Sequence, residues 1–343
     1  MKTKNILRVV STGVVLGVLT TPILVQAQSR VEVYGLIGLY AGSTERSGVA
    51  APTIQEGQGG MTTSYIGFRG TEDMGNGLKA IFQLENFFQP DTGASGRSST
   101  DPVAFSRNAW VGLSGNFGKF TVGRHTNQYY VAMSEVNPFQ GSTAFSPLVL
   151  QSFVANYGAT IQGDTVWDNT IQYSSPEISG FTANIQHSFG EVAGSDSIAN
   201  NGLHVRYDQG PFSTTFAAQR VKLVSDVPSA AQNSILAGAS YDLGLVKIFA
   251  SAQTTQRDVS EVQSKTYQLG GSVPVTVMSS ILLSWATTTI AQPHKNDTTR
   301  NTAALGYDYF LSKRTDIYCT YLYDKLTANS VGNSYVVGMR HTF

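Results

Sequence analysis

An all-β transmembrane antiparallel barrel of 16 strands, with a long third loop folded into the lumen, is the fold the sequence predicts. Three observations predict it. The last nine residues alternate Tyr335, Val337, Met339, His341 and Phe343 with Val336, Gly338, Arg340 and Thr342, and a strand with one mostly bulky, apolar side suits a wall between lipid and water. Beyond the N-terminal region no apolar run reaches the roughly 18 residues of a membrane helix, so strands must do any crossing. From Arg30 onward, segments of about ten residues, the length of a tilted membrane strand, alternate with connections that are short and long in turn.

The N-terminus reads as a leader. Lys2, Lys4 and Arg8 precede the apolar stretch 9–25, and Val25-Gln26-Ala27 offers a small-residue cleavage site. Residues 1–27 are therefore expected to be a cleaved signal peptide and 28–343 the barrel, beginning at Gln28. The expected strands are 31–41, 63–70, 78–88, 105–114, 119–124, 169–174, 181–189 and 203–207, then 212–221, 234–241, 245–254, 266–273, 275–287, 301–309, 315–324 and 334–343. Turn-forming residues mark the short connections at 73–77, 115–118, 175–180, 208–211 and 242–244. The polar connections 43–60, 89–104, 190–200, 222–232, 255–264, 288–298 and 325–332 are long. Short turns on one rim and long loops on the other suit an outer-membrane barrel, and 16 strands leave an aqueous lumen.

Faces are legible where alternation is strict. Ala80, Phe82 and Leu84 oppose Ile81, Gln83 and Glu85, so the set ending in Glu85 should face water; Ile66 and Phe68 likewise oppose Gly67 and Arg69. Tyr173, Tyr207, Tyr241 and Tyr307 recur near the short turns, where amphipathic rings sit at headgroup level.

Composition narrows the function. Charged residues are 13% of the chain, about half the usual share of a soluble domain, while 34 Gly, 16 Tyr and 17 Phe suit turns and interfacial girdles. The 23 Lys and Arg less the leader's three leave 20 against 23 Asp and Glu, a net charge of −3, so there is no basic footprint for nucleic acid. The single Cys319 cannot form an internal disulfide and reads as a packed small side chain. Of His125, His187, His204, His294 and His341, none lies in a nucleophile-elbow or metal-ligand spacing, so neither catalysis, metal nor cofactor is expected.

The longest segment without a strand pattern lies between Arg124 and Asn169. It carries Tyr129, Tyr130, Phe139, Phe145, Phe153 and Trp167, few charges, and the turn Asn137-Pro138-Phe139-Gln140-Gly141. An aromatic loop of this length is costly to leave in solvent, so it is expected to fold back into the lumen and narrow it; packing between subunits is its other use.

The chain resembles the general porins of Gram-negative bacteria, closest to the β-proteobacterial type. The resemblance rests on Val31-Glu32-Val33-Tyr34-Gly35, on Ser64-Tyr65-Ile66-Gly67-Phe68-Arg69-Gly70-Thr71-Glu72-Asp73-Met74-Gly75, on the stretch 77–85, and on Phe105-Ser106-Arg107-Asn108-Ala109-Trp110-Val111-Gly112-Leu113-Ser114. It continues through Phe117-Gly118-Lys119-Phe120-Thr121-Val122-Gly123-Arg124, the stretch 169–176, and the terminal Val337-Gly338-Met339-Arg340-His341-Thr342-Phe343, so it covers the mature chain. It implies a homotrimer of 16-stranded barrels in the outer membrane, among lipid and lipopolysaccharide, passing small hydrophilic solutes and ions by passive diffusion. A substrate-selective porin with an aromatic constriction loop is the alternative. The resemblance also implies an eyelet in which acidic groups of the third loop face wall arginines. Arg124 matches one such arginine, and Glu135 is the only carboxylate between Arg124 and Asp164. Tyr65 and Val166 stand where the family often has arginine, which thins the basic side; Arg69, Arg206, Arg220 and Arg340 are further lumen candidates, and Phe343 is the expected assembly signal.

Overall fold

The computed structural model describes residues 29–97, 103–191, 199–222 and 231–343. The expected signal peptide, its junction at Gln28 and parts of the loops 89–104, 190–200 and 222–232 lie outside the described residues. The strands are β1 (Arg30–Thr44), β2 (Thr53–Gln58), β3 (Tyr65–Gly75), β4 (Leu78–Phe87), β5 (Ala109–Gly115), β6 (Gly118–Thr126), β7 (Val166–Ser174), β8 (Phe181–Ser188) and β9 (Asn200–Gln209). They continue as β10 (Phe212–Lys222), β11 (Ala231–Asp242), β12 (Lys247–Arg257), β13 (Gln263–Thr276), β14 (Ser279–Ala291), β15 (Thr298–Phe310), β16 (Thr315–Leu326) and β17 (Val331–Thr342). Each pairs antiparallel with its neighbours, and β17 closes on β1 through Leu36↔Thr342 to Ser43↔Tyr335.

Seventeen strands fill sixteen positions, because β2 and β3 lie end to end along β1. Residues 30–36 of β1 pair with β3 and residues 39–44 with β2. Between them Gly59 and Gly60 take positive φ (79° and 70°), and the chain leaves the sheet. Ser64 bridges the gap: its Oγ accepts from Gly38 N (3.0 Å) and donates to Gly38 O (3.1 Å), so the interrupted ladder keeps partners. All sixteen expected strands are present within a few residues. β2 is an addition inside the expected loop 43–60.

Two boundaries differ for identifiable reasons. The sequence places a break at Pro274, yet β13 runs through it to Thr276, and the hairpin turns at Val277-Met278; a bulge between Pro274 and Thr276 accommodates the missing donor. The strand expected from 105 begins only at Ala109, because Phe105 takes φ 53°. At the hairpin after β3, Asn76 (φ 53°) and Gly77 (φ 79°) make the two-residue left-handed turn that an Asn-Gly pair favours.

The faces are those of a wall with lipid outside. Val33, Val111, Ile185, Leu269, Leu305 and Ile317 are exposed, whereas their alternates include Thr266, Gln268, Thr302 and Asp324, all buried. A protein with water outside would invert this pattern. Cys319 is exposed on the outward face, between Tyr307 and Val337 in the register, rather than packed inside.

The segment 127–165 packs on the polar faces. Its helix α1 (Gln128–Glu135) rests on β9 and β10 and its helix α2 (Pro147–Phe153) on β14 and β15. Phe139 between them lies over Gly306, where a Cβ would stand 3.0 Å from the ring, and joins Met61, Phe145, Leu150, Leu282 and Tyr318 in one apolar cluster.

Closure itself is testable at Gly35. Phe343 exchanges both backbone hydrogen bonds with Gly35 (3.1 Å each), and a Cβ on Gly35 would lie 2.6 Å from the Phe343 ring and 2.5 Å from Tyr65 O. Gly35→Val should destabilise the barrel by about 1–3 kcal/mol, read as a lower transition temperature of the heat-modifiable form. Gly271→Ala, whose added Cβ has no neighbour closer than 3.7 Å, should leave it unchanged.

Candidate functional site

The long segment is pinned by polar side chains at each of its corners. Asn127 caps α1, its side chain accepting from Tyr129 N (2.8 Å) while donating to Gln219 Oε1 of β10 (2.9 Å). At the other end of α1, Glu135 meets Arg206 (3.0 Å) and His204 (3.2 Å) of β9. The turn that follows is held by Asn137, which donates to Met133 O (2.7 Å) and Gln140 O (2.9 Å), and Ser146 caps α2 with Pro147 at its first position. Gln151 is 1% exposed and bonded to both neighbouring strands: it donates to Ala286 O (3.0 Å) and Thr302 Oγ1 (2.8 Å) and accepts from Thr288 Oγ1 (2.6 Å). The return is tied by Arg46 to Asn156 O (2.7 Å) and by an Arg97–Asp164 ion pair.

With α1 and α2 occupying the polar faces of β9, β10, β14 and β15, the polar faces of β1 and β3–β6 lie across from them, and these carry a second cluster. Its centre is Glu85, 1% exposed. Tyr34 Oη (2.7 Å) and Gln83 Nε2 (2.8 Å) donate to one carboxylate oxygen, and Asn108 Nδ2 (2.5 Å) and Arg107 (2.5 Å) to the other. Gly67 makes this possible, since a Cβ there would lie 2.8 Å from Glu85 Cγ and 3.1 Å from the Tyr34 ring. The Arg107 guanidinium also lies 4.3 Å from the centroid of Tyr65, so it is held by a charge and a ring at once. Across from it, Tyr130 of α1 donates to Gly141 O; burial pushes its hydroxyl up to about 12, which keeps it a neutral donor.

Several expected site residues are placed otherwise. Arg124 and Glu135 do not meet. The extra residue of the neighbouring bulge lies in β7, where Asn169 takes φ 52°. Strict alternation along β6 sets Phe120, Val122 and Arg124 on one face and Thr121, Gly123 and His125 on the polar one, so Arg124 stands in the row of Ala109, Leu84 and Phe68. There it donates to Ser106 O (2.9 Å) and pairs with Asp168. Arg220 is also outward: it shares the parity of exposed Phe212 and Phe216 and pairs with Asp258 at 3.1 Å, so it is not a lumen residue. Val166 is buried at the start of β7, opposite Thr126. Arg69 pairs with Glu32 (2.6 Å), Arg206 with Asp208 (2.5 Å) besides Glu135, and Arg340 with Asp316 (3.0 Å) and Asp308 (3.4 Å).

Arg107 escaped the sequence reading although it lies in a quoted motif, because its approach to Tyr65 and Glu85 depends on the irregular chain at Phe105. The buried Arg300–Asp324 pair was equally hidden: Arg300 donates to both carboxylate oxygens (2.8 and 2.6 Å), and Ser47 N (2.9 Å) and Thr302 Oγ1 (3.1 Å) add to them. Among the described residues no group of three or more His, Cys, Asp or Glu is disposed to hold a metal.

A closed barrel, apolar outside and lined with ion pairs and amides inside, is an outer-membrane channel wall. The sequence profile of the Gram-negative porins matches residues 13–329, and the chain belongs to that family, in its β-proteobacterial branch. It is 31% identical over 314 residues to outer membrane porin protein 32 of Delftia acidovorans, covering 89% of this chain and 86% of that one. An outer membrane porin protein of Bordetella pertussis is 27% identical, with 82% of each chain covered. Among solved structures, the anion-selective porin from Comamonas acidovorans superposes with a TM-score of 0.75 at 29% identity, over 92% of this chain and 100% of that one. The protein is thus an outer-membrane porin, a member of a family of channels.

The Arg300–Asp324 pair supports a prediction about stability. Asp324 is fully buried, so Asp324→Ala strands a buried guanidinium and should cost about 3–5 kcal/mol, seen as a fall in the thermal transition of the folded barrel. An unchanged transition would mean that water reaches Arg300.

Proposed function

We propose that the porin passes small hydrophilic solutes and ions by passive diffusion, as a trimer among outer-membrane lipid and lipopolysaccharide, after loss of a signal peptide ending near Ala27. The segment 127–165 folds inside the barrel and narrows it, leaving an eyelet between Tyr130 and the Arg107–Glu85–Tyr65 cluster. The observation that carries this reading is the set of bonds from Gln151, Glu135 and Asn127 to the polar faces of β9, β10, β14 and β15. Phe343, which closes the ring against Gly35, serves as the assembly signal. The aromatic rings at Tyr34, Tyr65 and Tyr130 favour some solute selectivity beyond size.

Ion preference should be weak. The relative from Comamonas is described as anion-selective, but on this wall Arg107 is matched by Glu85, Arg97 by Asp164, Arg69 by Glu32 and Arg340 by two aspartates. Paired charges produce a transverse field that orients dipolar solutes rather than a net potential that sorts ions.

A planar bilayer with a salt gradient tests this. Arg107→Ala should move the reversal potential toward cations by removing the cation nearest Tyr130, and Arg124→Ala should not move it. Both effects are best read near 0.1 M salt, where screening extends about 10 Å. A strongly anion-selective wild type, or a shift with Arg124→Ala that equals that of Arg107→Ala, contradicts the assignment. Replacing 137–141 by a shorter linker should raise single-channel conductance; intact trimers with unchanged conductance would put the segment outside the pore.

A further inference from the structure

One region of the polar wall escapes the balance of charge. Below the Glu85 cluster, toward the rim of short turns, a cavity of about 430 Å³ is lined by Arg30, Glu32, Arg69, Gln83, Trp110 and Lys119. The register builds it: Glu32, Arg69, Gln83, Trp110 and Gly123 are successive partners across five strands, so the side chains of the first four stand in one row on the polar face. Three cations face one carboxylate. Glu32 accepts from both Arg30 and Arg69, and Lys119 lies 5.5 Å from the centroid of Trp110. Arg69 keeps 57% of its side chain exposed and rides 4.7 Å from the Tyr34 centroid. Trp110 is half-buried, stacked on His125 at an interplanar angle of 6°, and so held flat against the wall.

We infer that this cavity is a solute-binding station for carboxylate anions with a flat aromatic body, of the benzoate type. The surplus of positive charge draws and holds the carboxylate, and the fixed indole gives the ring a surface to stack on. Neither feature alone specifies the class. Cations without the indole would take any small anion, and the indole without cations would take any flat apolar solute. Gln83 is already committed to Tyr34 Oη (2.6 Å) and Glu85 (2.8 Å), which fixes the floor of the cavity without competing for the anion. The inference rests on the channel reading for access to the site, but binding can be measured apart from conduction.

The test uses the full mature protein, folded and migrating as the heat-modifiable form. Equilibrium dialysis in detergent compares radiolabelled benzoate with cyclohexanecarboxylate, which keeps the charge but not the flat ring, and with benzamide, which keeps the ring but not the charge. In planar bilayers the same compounds, added on the short-turn side, are compared as blockers of KCl current. Benzoate should bind and block, with cyclohexanecarboxylate about threefold to tenfold weaker, the range expected for loss of one aromatic pair, and benzamide weaker still. Trp110→Leu should erase the preference for benzoate over cyclohexanecarboxylate while retaining anion binding. Arg69→Gln, at an exposed position that folding tolerates, should weaken both anions alike. Equal affinity for the two carboxylates in the wild type, benzamide binding equal to benzoate, or a preference untouched by Trp110→Leu in a folded barrel would each overturn the proposal. A wild type that binds benzoate in dialysis but conducts no current would instead overturn the channel reading and leave the station standing.

Discussion

Everything in this structure follows from the need to satisfy every backbone donor and acceptor in a solvent that offers none. An open sheet in lipid would leave two edges unpaired, at several kcal/mol for each buried polar group. Pairing β17 with β1 removes both edges. Closure then fixes the period-two distribution of side chains, because each strand must present alternate residues to lipid and to the interior. Even the interruption at residues 59–64 obeys the constraint, since Ser64 returns to Gly38 the hydrogen bonds that the missing strand would have made.

A ring of sixteen strand positions encloses more space than its own side chains fill, and the interior is polar. The segment 127–165 packs on that polar face. Its apolar residues collect in two groups that include wall residues, one around Phe139 and Leu150 with Leu282 and Tyr318 and one around Tyr129, Met133 and Val149 with Ala217 and Leu236, and amide bonds from Asn127 and Gln151 and the ion pairs of Glu135 add to them. Buried amides on the facing strands, such as Gln219, Gln232 and Gln253, would each lose a partner if the segment withdrew: Gln219 bonds Asn127, Gln232 bonds Thr160 O (2.7 Å), and Gln253 bonds Ser152 (2.7 Å). The segment is thus held by many modest bonds spread along its length rather than by one anchor.

The barrel was legible in the sequence because its two signals, alternation and the rhythm of turns, are local. β17 reads from nine residues, and the Asn76-Gly77 turn from two. β2 was not legible, since Thr53-Ile54-Gln55-Glu56-Gly57-Gln58 lacks an apolar face and extends above the lipid-facing part of β1. Parity alone put Glu85 on the polar face of β4, yet it is 1% exposed there, and its four donors come from three separate stretches of chain that no spacing rule joins. Arg124 illustrates the limit most sharply. The resemblance matched it to a wall arginine of the eyelet, whereas its parity with Phe120 and Val122 sets it on the outward face, so the alternation along β6 outweighs its place in the motif.

Pairing is also what lets a charged wall exist between water and lipid. A guanidinium alone on the inner face would be drawn to anions and slow to release them; one matched by a carboxylate keeps its hydrogen bonds while its distant field largely cancels. Arg107 and Glu85 are matched in this way, and each also leans on an aromatic ring or hydroxyl that fixes its geometry. Around the row through Arg69 and Trp110, where Glu32 is shared by Arg30 and Arg69 and Lys119 adds a third cation, the wall changes from a surface that solutes slide past to one on which they can pause. Conduction requires that such pauses be brief, and the exposure of Arg69 to water, with its screening, sets an upper bound on how tightly an anion can be held there.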